Sequence, residues 1–332
     1  MESVGQITII QKVLLALSAR RIGSTASTAT MTLVILGLLL SVGARAARAD
    51  GYTYTVVNPP GSSASEAYGI NASGEIVGFE FDSTYEGFLD DGGTYSVINP
   101  PGSSSSQAYG INASGEIVGF NATTSEGFLD DGGTFTAIDP PGATYSEANG
   151  INDSGEIAGF QLGGTYQGFL DDGGTFTAIN PPGSSSSEAF GINASGEIVG
   201  YNITTSEGFL DDGGTFTVIN PPGASSSTAF GINSSGDIVG EEINGGVLEG
   251  FLDDAGTFSV INPPGANSSA ALGINDSGDI VGYYVNAEGE NEGFLATPVA
   301  APEPSNLSLL GTGLLALLVL AAAKREGLRR RG

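Results

Sequence analysis

Residues 189–219 read AFGINASGEIVGYNITTSEGFLDDGGTFTVI, and turn-forming residues cut them into four short apolar stretches. The stretches span 189–193, 197–201, 208–210 and 215–219. No 3.6-residue apolar period runs through them, so they read as strands rather than as helix faces. Ala194-Ser195-Gly196 joins the first pair. There Asn193 can cap the turn with its own side chain, and Gly196 can take a positive φ. Asp211-Asp212-Gly213-Gly214 joins the second pair and is a strong hairpin signal. Two hairpins in series predict a four-stranded antiparallel sheet. Pro221-Pro222-Gly223 ends it, because a proline nitrogen carries no hydrogen to give to a strand ladder.

Outward from this stretch the same sentence recurs. Gly-Ile-Asn begins at Gly69, Gly110, Gly150, Gly191, Gly231 and Gly273, at steps of 40 to 42 residues. Pro-Pro-Gly and Gly-Phe-Leu each recur six times in step with it. A fixed period of this length indicates a propeller, a solenoid or an array. The turn Asp130-Asp131-Gly132-Gly133-Thr134-Phe135 resembles the D-x-G-x-T-F part of the Asp-box hairpin of sialidase-like propellers, with Phe128 in place of the leading Ser. That resemblance implies that the hairpin joins the third and fourth strands of a blade and that Ala-x-Gly-Ile-Asn is the inner first strand.

One copy is split between the two ends. Asp50-Gly51-Tyr52-Thr53-Tyr54-Thr55 aligns with Asp131-Gly132-Gly133-Thr134-Phe135-Thr136 and supplies only a fourth strand, 53–57. Residues 271–275, 279–283 and 293–295 supply strands one to three of a last unit that lacks its fourth. Complementary fragments of this kind close a ring and leave no open sheet edge at the joint, whereas an open solenoid needs caps. The expected fold is all-β: a six-bladed β-propeller closed by an N-terminal fourth strand, with an N-terminal signal helix and a C-terminal transmembrane helix. A β-solenoid is the alternative.

The unit also resembles the extracellular HAF repeat family, named for a His-Ala-Phe motif. Ile192-Asn193-Ala194-Ser195-Gly196-Glu197-Ile198-Val199-Gly200 is similar to its Ile-Asn-x-x-Gly-Gln-Val-Val-Gly pattern, and Glu207-Gly208-Phe209-Leu210 stands where that family has His-Ala-Phe-Leu. The likeness covers residues 52–295. It implies an extracellular repeat protein with no established catalytic chemistry.

The ends differ sharply from the middle. All ten basic residues lie at or before Arg48 or at or after Lys324. Four of the 37 acids (Glu2, Asp50, Glu303 and Glu326) lie outside 51–300, so that region carries 33 acids and no base. An apolar run from Met31 to Val42 follows Arg20-Arg21 and precedes Ala47-Arg48-Ala49, a small-x-small cleavage site before Asp50. Residues 1–49 therefore read as a signal peptide, the run being short for a membrane span of roughly 20 residues. Translation from Met1 or from Met31 fits equally. Residues 50–298 form the propeller, 299–306 a linker, 307–323 a transmembrane helix and 324–332 a basic cytoplasmic tail.

Pro302-Glu303-Pro304, the apolar run and the terminal basic cluster, in that order, resemble the PEP-CTERM sorting signal of Gram-negative bacteria. The resemblance implies an exosortase-type membrane protease as partner, with cleavage near Pro302, Glu303 and Pro304. It also implies an exopolysaccharide-making host. A plain C-terminal anchor is the alternative. The expected place is the cell envelope or extracellular surface, reached through the export machinery and with a membrane anchor before processing.

The recurrent acids are Asp90-Asp91, Asp130-Asp131, Asp171-Asp172, Asp211-Asp212 and Asp253-Asp254. Turn chemistry and solubility explain them without a ligand. Calcium is the second reading, since hard cations want several carboxylate and carbonyl oxygens. Asn275-Asp276-Ser277-Gly278-Asp279 comes nearest to a calcium loop. No other cofactor is expected.

The chain has no His and no Cys, and corresponding positions differ little between units. Both observations argue against an enzyme, which needs groups in distinct environments. Paired carboxylates leave a carbohydrate-active enzyme as a remote alternative. Tyr68, Tyr109, Phe190 and Phe230 share one register that resembles a ligand-stacking ring but are expected to pack between blades, while Tyr85, Tyr145 and Tyr166 are expected in loops as the better exposed candidates for glycan contact. Nucleic acid is not expected as a partner, because no basic stripe exists. A structural or adhesive surface protein, possible partner exopolysaccharide, is the first functional expectation. A lectin-like glycan-binding module is the second.

Overall fold

The computed structural model describes residues 51–299, and in it the chain closes into a ring of six four-stranded antiparallel sheets. The predicted signal peptide, Ala49, Asp50, Pro302, Glu303, Pro304, the membrane helix and the basic tail lie outside the described residues. Among the described residues no helix is long and apolar enough to cross a membrane. Blades one to five are contiguous, at 64–98, 106–138, 145–179, 187–219 and 226–261. Blade six combines Ser268–Ile274, Ile280–Val285 and Asn291–Pro298 with the first described strand, Tyr52–Val57. That strand lies antiparallel to Asn291–Pro298, with Thr53 opposite Thr297 and Val57 opposite Gly293. The split copy therefore closes the ring as its sequence implies.

Within blade four the strands are Ser187–Ile192, Ile198–Asn202, Glu207–Asp212 and Thr215–Ile219. The third strand is longer than its apolar core and takes in both aspartates, because the hairpin loop is only Gly213-Gly214. Both glycines have positive φ, 56° and 92°, as a two-residue type I′ loop demands. The first strand starts earlier than its apolar residues, at Ser187, and stops before Asn193. The Asn193 Oδ1 accepts hydrogen bonds from the Ser195 and Glu197 backbone N–H groups, both at 3.0 Å.

The core lies between blades rather than inside them. Val77 and Ile98 of blade one pack on Ala108, Ile111, Ile117 and Phe128 of blade two, and the equivalent residues recur at the next three joints, with Ala158 in place of the valine at one. At the seam Val57 and Val281 of blade six meet Ala67, Ile70, Ile76 and Phe88 of blade one. The Gly-Ile-Asn glycine is needed because the inner strands converge at the axis. A Cβ on Gly150 would sit 2.5 Å from the Phe190 carbonyl oxygen of the next blade, and one on Gly273 would sit 2.4 Å from that of Tyr68.

Two belts of hydrogen bonds run around the ring. In the first, each Gly-Ile-Asn asparagine donates its Nδ2–H to the backbone carbonyl of its counterpart one blade on. Asn71 donates to Asn112 and so on around to Asn275, which donates to Asn71, at 3.2–3.3 Å throughout. In the second, a buried serine on each inner strand donates to the last carbonyl of the preceding blade and accepts from a glycine N–H beside it. Ser187 does so to the Ile179 carbonyl (2.7 Å) and from Gly168 (3.4 Å). Ser65 repeats the pattern across the seam, to Val57 at 2.8 Å and from Gly293 at 3.0 Å. Each blade thus satisfies buried polar groups of its neighbour, which would otherwise cost about 1–3 kcal/mol apiece.

Candidate functional site

The Asp-Asp turns and the Asn-x-Ser-Gly turns share one rim, since both connect strands at the same end of each blade. Both members of each Asp pair lie in the third strand, where neighbours point to opposite faces. The first member is buried and accepts the N–H of the second loop residue. Asp90 accepts from Gly93, Asp130 from Gly133, Asp171 from Gly174, Asp211 from Gly214 and Asp253 from Gly256, at 2.6–2.7 Å. The second members, Asp91, Asp131, Asp172 and Asp212, are exposed, and Asp254 is half-buried. The two carboxylates of a pair therefore diverge. Among the described residues no group of three or more Asp, Glu, His or Cys side chains is placed to hold a metal ion.

An axial channel runs through the ring with two unlike mouths. The mouth on the turn rim is a cavity of about 120 Å³ lined by the six-asparagine belt and by Ala72, Ala113, Asp153, Ala194, Ser234 and Asp276. Its acids are engaged: Asp153 accepts the Ala113 N–H and Asp276 the Ser234 N–H, both at 2.9 Å.

The opposite mouth is another cavity of about 120 Å³, lined by Tyr68, Tyr109, Glu147, Asn149, Phe190, Phe230 and Leu272. Six of these seven hold one register, and in every blade that register is a β-bulge. The pairing of first and second strands skips from Ala67 to Gly69, from Ala148 to Gly150 and likewise in the rest. An extra residue in one strand re-aims its side chain. The aromatic residues do stack across adjacent blades, with ring centroids 4.9 Å apart for Tyr68–Tyr109 and for Phe190–Phe230. They also form the cavity wall, which the sequence expectation of packing alone did not include. Tyr85, Tyr145 and Tyr166 begin strands rather than lying in loops, and Tyr145 stacks on Phe120 at 4.9 Å.

Around this mouth the sixfold sameness breaks. Two residues before the bulge stand Glu66, Gln107, Glu147, Glu188, Thr228 and Ala270. Directly opposite them on the second strands stand Phe79, Phe120, Phe160, Tyr201, Glu241 and Tyr283. Glu66 accepts from Tyr68 at 3.1 Å and from the Asn291 Nδ2 at 2.7 Å. Tyr145 donates to Glu147, and Tyr109 donates to Gln107 at 2.6 Å. Burial pushes Glu147 up to about 7; the Tyr145 hydroxyl opposes the rise and Glu188 adds to it. Burial also lifts Glu241 to about 7, with the Glu66 charge adding. Glu66 and Glu188 are raised by the same burial. The Tyr283 hydroxyl is raised by burial and by the charges of Glu241 and Glu66.

These shifts make stability depend on pH in a definite direction. Between about 4.5 and 7 the folded chain keeps protons on Glu147 and Glu241 that the unfolded chain has released. Their contribution is fully present below about 4.5 and is lost as pH rises to about 7. The double variant Glu147→Gln, Glu241→Gln is expected to melt about 4–8 °C higher than the parent at pH 8, on the order of 2 kcal/mol for the pair after solvent screening. At pH 4 the two should melt together. Thermal melts by circular dichroism at both pH values check this, and an equal gap at both would contradict the assignment.

No protein-family model and no curated protein sequence matches the chain. Its arrangement is similar to that of several solved structures, all of low identity. A catalytically inactive virginiamycin B lyase from Staphylococcus aureus with quinupristin is 12% identical, with TM-score 0.48 over 75% of this chain and 100% of that one. A gluconolactonase from Xanthomonas campestris is 12% identical, with TM-score 0.49 over 77% and 93%. An Aleuria aurantia lectin in complex with alpha-methyl-L-fucoside is 13% identical, with TM-score 0.43 over 73% and 97%. At this distance the likeness concerns the propeller fold and says nothing of chemistry.

Proposed function

We propose that this chain is an exported acidic propeller with a structural and adhesive role in the bacterial envelope or exopolysaccharide matrix. The observation that supports it best is the construction of the ring. Each blade is tied to the next by apolar burial and by two hydrogen-bond belts, giving a rigid platform. Its region of sequence carries 33 acids and no base, a composition that keeps such a platform soluble. Export, the exosortase-type partner and surface sorting rest on the sequence of the two ends. Calcium enters this reading as a diffuse counter-ion of the acidic surface.

Mass spectrometry of the chain recovered from an exosortase-bearing host tests the proposal. The expected mature chain starts at Asp50 and ends near Pro302, Glu303 and Pro304, and it is found in the matrix fraction. Deleting the chain should lower retention of exopolysaccharide by the cells. An intact Arg331-Gly332 end on most surface molecules, or unchanged retention, would overturn it. A lectin-like role is the second reading, favoured by the aromatic residues at the channel mouth. A glycan array read with and without calcium separates it from a purely structural role.

A further inference from the structure

We propose that the aromatic mouth of the axial channel is a binding site for an organic ammonium group, carried either as a quaternary ammonium or as the protonated amine of an amino sugar. The proposal does not depend on export or on the adhesive role. It begins from the cavity. About 120 Å³ is close to the roughly 150 Å³ of an apolar cavity that takes a benzene ring, so a compact headgroup of a few heavy atoms fits. The wall presents Tyr68, Tyr109, Phe190 and Phe230, and the faces of such rings attract a cation through their quadrupoles.

The second observation is charge that the protein leaves uncompensated. Glu147 is in the wall; Glu66 accepts a hydrogen bond from the wall residue Tyr68, and Glu241 stands opposite Thr228, two residues before the wall residue Phe230. No Lys, Arg or His occurs anywhere among residues 51–299, so no side chain of the ring can neutralise these carboxylates. Glu241 occupies the register where five other blades carry an aromatic ring. Partly buried carboxylates without a cationic partner cost stability, and an entering ammonium group removes that cost.

The third observation is where the blades differ. The asparagine and serine belts, which hold the ring together, use the same residue in all six blades. The fold makes no matching demand at the mouth, where Glu, Gln, Thr and Ala alternate with Tyr, Asn, Phe and Leu. A single off-axis ligand accounts for an uneven lining, and a symmetric scaffold does not. A hard metal ion fits poorly, because rings and Leu272 occupy positions that an oxygen shell would need. A neutral sugar would leave the carboxylates unpaired.

Isothermal titration of the full chain at pH 8 in 150 mM-range salt tests the site with four probes. Choline carries a permanent ammonium group, and glucosamine an amine that is only partly protonated at pH 8, so its Kd is referred to the protonated fraction; 3,3-dimethylbutan-1-ol and N-acetylglucosamine are their neutral counterparts. One choline or one glucosamine per chain is expected, with Kd below about 10 mM and each neutral counterpart about tenfold weaker or worse. Which of the two ammonium compounds binds identifies the source. Glu147→Gln and Glu241→Gln are each expected to weaken binding several-fold, as is lowering the pH to 5.5. Absence of binding by both ammonium compounds overturns the site. So does equal binding of a neutral counterpart, or many weak equivalents per chain that salt removes. The comparison of each cation with its neutral counterpart uses the unmodified protein, so it holds even if a variant folds poorly.

Discussion

Deletion of residues 50–57 is expected to abolish the monomeric ring. The strand Tyr52–Val57 pairs at six positions with Asn291–Pro298, and among the described residues no other strand covers that edge of blade six. Its loss exposes one side of Phe294, which Tyr54 meets edge-on at 5.8 Å. It also removes Val57, 3% exposed, from the joint with blade one, at about 1.5–3 kcal/mol. Ser65 and its neighbours lose the Val57 carbonyl, at about 1–3 kcal/mol more. Added to the lost strand ladder, this approaches the whole net stability of an ordinary domain, about 5–15 kcal/mol. Size-exclusion chromatography with light scattering should show oligomers or aggregate joined through the open edge. A peptide of residues 50–60 supplied in trans should restore part of the monomer. A deletion variant that stays monomeric and melts within a few degrees of the parent would show that the seam contributes little.

Gly200→Ala is a point substitution expected to do severe damage. This glycine lies on the second strand of blade four, where a Cβ would fall 2.1 Å from the Glu188 carbonyl oxygen and 2.6 Å from Cζ of Phe209. The first obstacle is backbone of the inner strand and the second is a ring that is itself buried between blades. Neither can move without opening a joint, so the cost is about 3 kcal/mol or more and the melting temperature falls by about 6–12 °C. Gly163→Ala is the control. It lies in a connection between strands, where the nearest atom to a new Cβ is the Gly142 carbonyl oxygen at 3.5 Å, and it should change stability by no more than about 0.5 kcal/mol. Equal melting of the two variants would refute the packing account.

The repeat was legible because its punctuation is local chemistry. Gly213-Gly214, Pro221-Pro222 and Asn193 each act on their own few residues, so the two hairpins, their turns and the closing fragment could be read from the chain alone. What was missed depends on neighbours in space. The Asx turn of Asn193 is a local event, but its second bond, to the Asn233 carbonyl, exists only because blade five stands beside it. Asp211 and Asp212 are adjacent in sequence and looked like one ligand pair. They diverge because the strand runs on through both, and that follows from a loop one residue pair shorter than the motif suggests. The mouth was read as inter-blade packing for a related reason. Tyr68 and its counterparts look like ordinary inner-strand residues until the bulge beside Gly69 re-aims them. The usable signal was the uneven run of Glu66, Gln107, Glu147, Glu188, Thr228 and Ala270 at one register.

The seam also imposes a timetable. Thr53 and Thr297, partners in the closing ladder, are 244 positions apart. Blades one to five consist of contiguous hairpins and can condense as they emerge from the ribosome. Tyr52–Val57 must wait for Asn291–Pro298. At about 5–20 residues per second that wait is on the order of 10–50 s. Contacts of such high sequence separation also form late in refolding, since loop closure must precede any gain. Throughout that interval Tyr52–Val57 is without its ladder partner, and a factor that shields this segment would protect the seam until Asn291–Pro298 arrives.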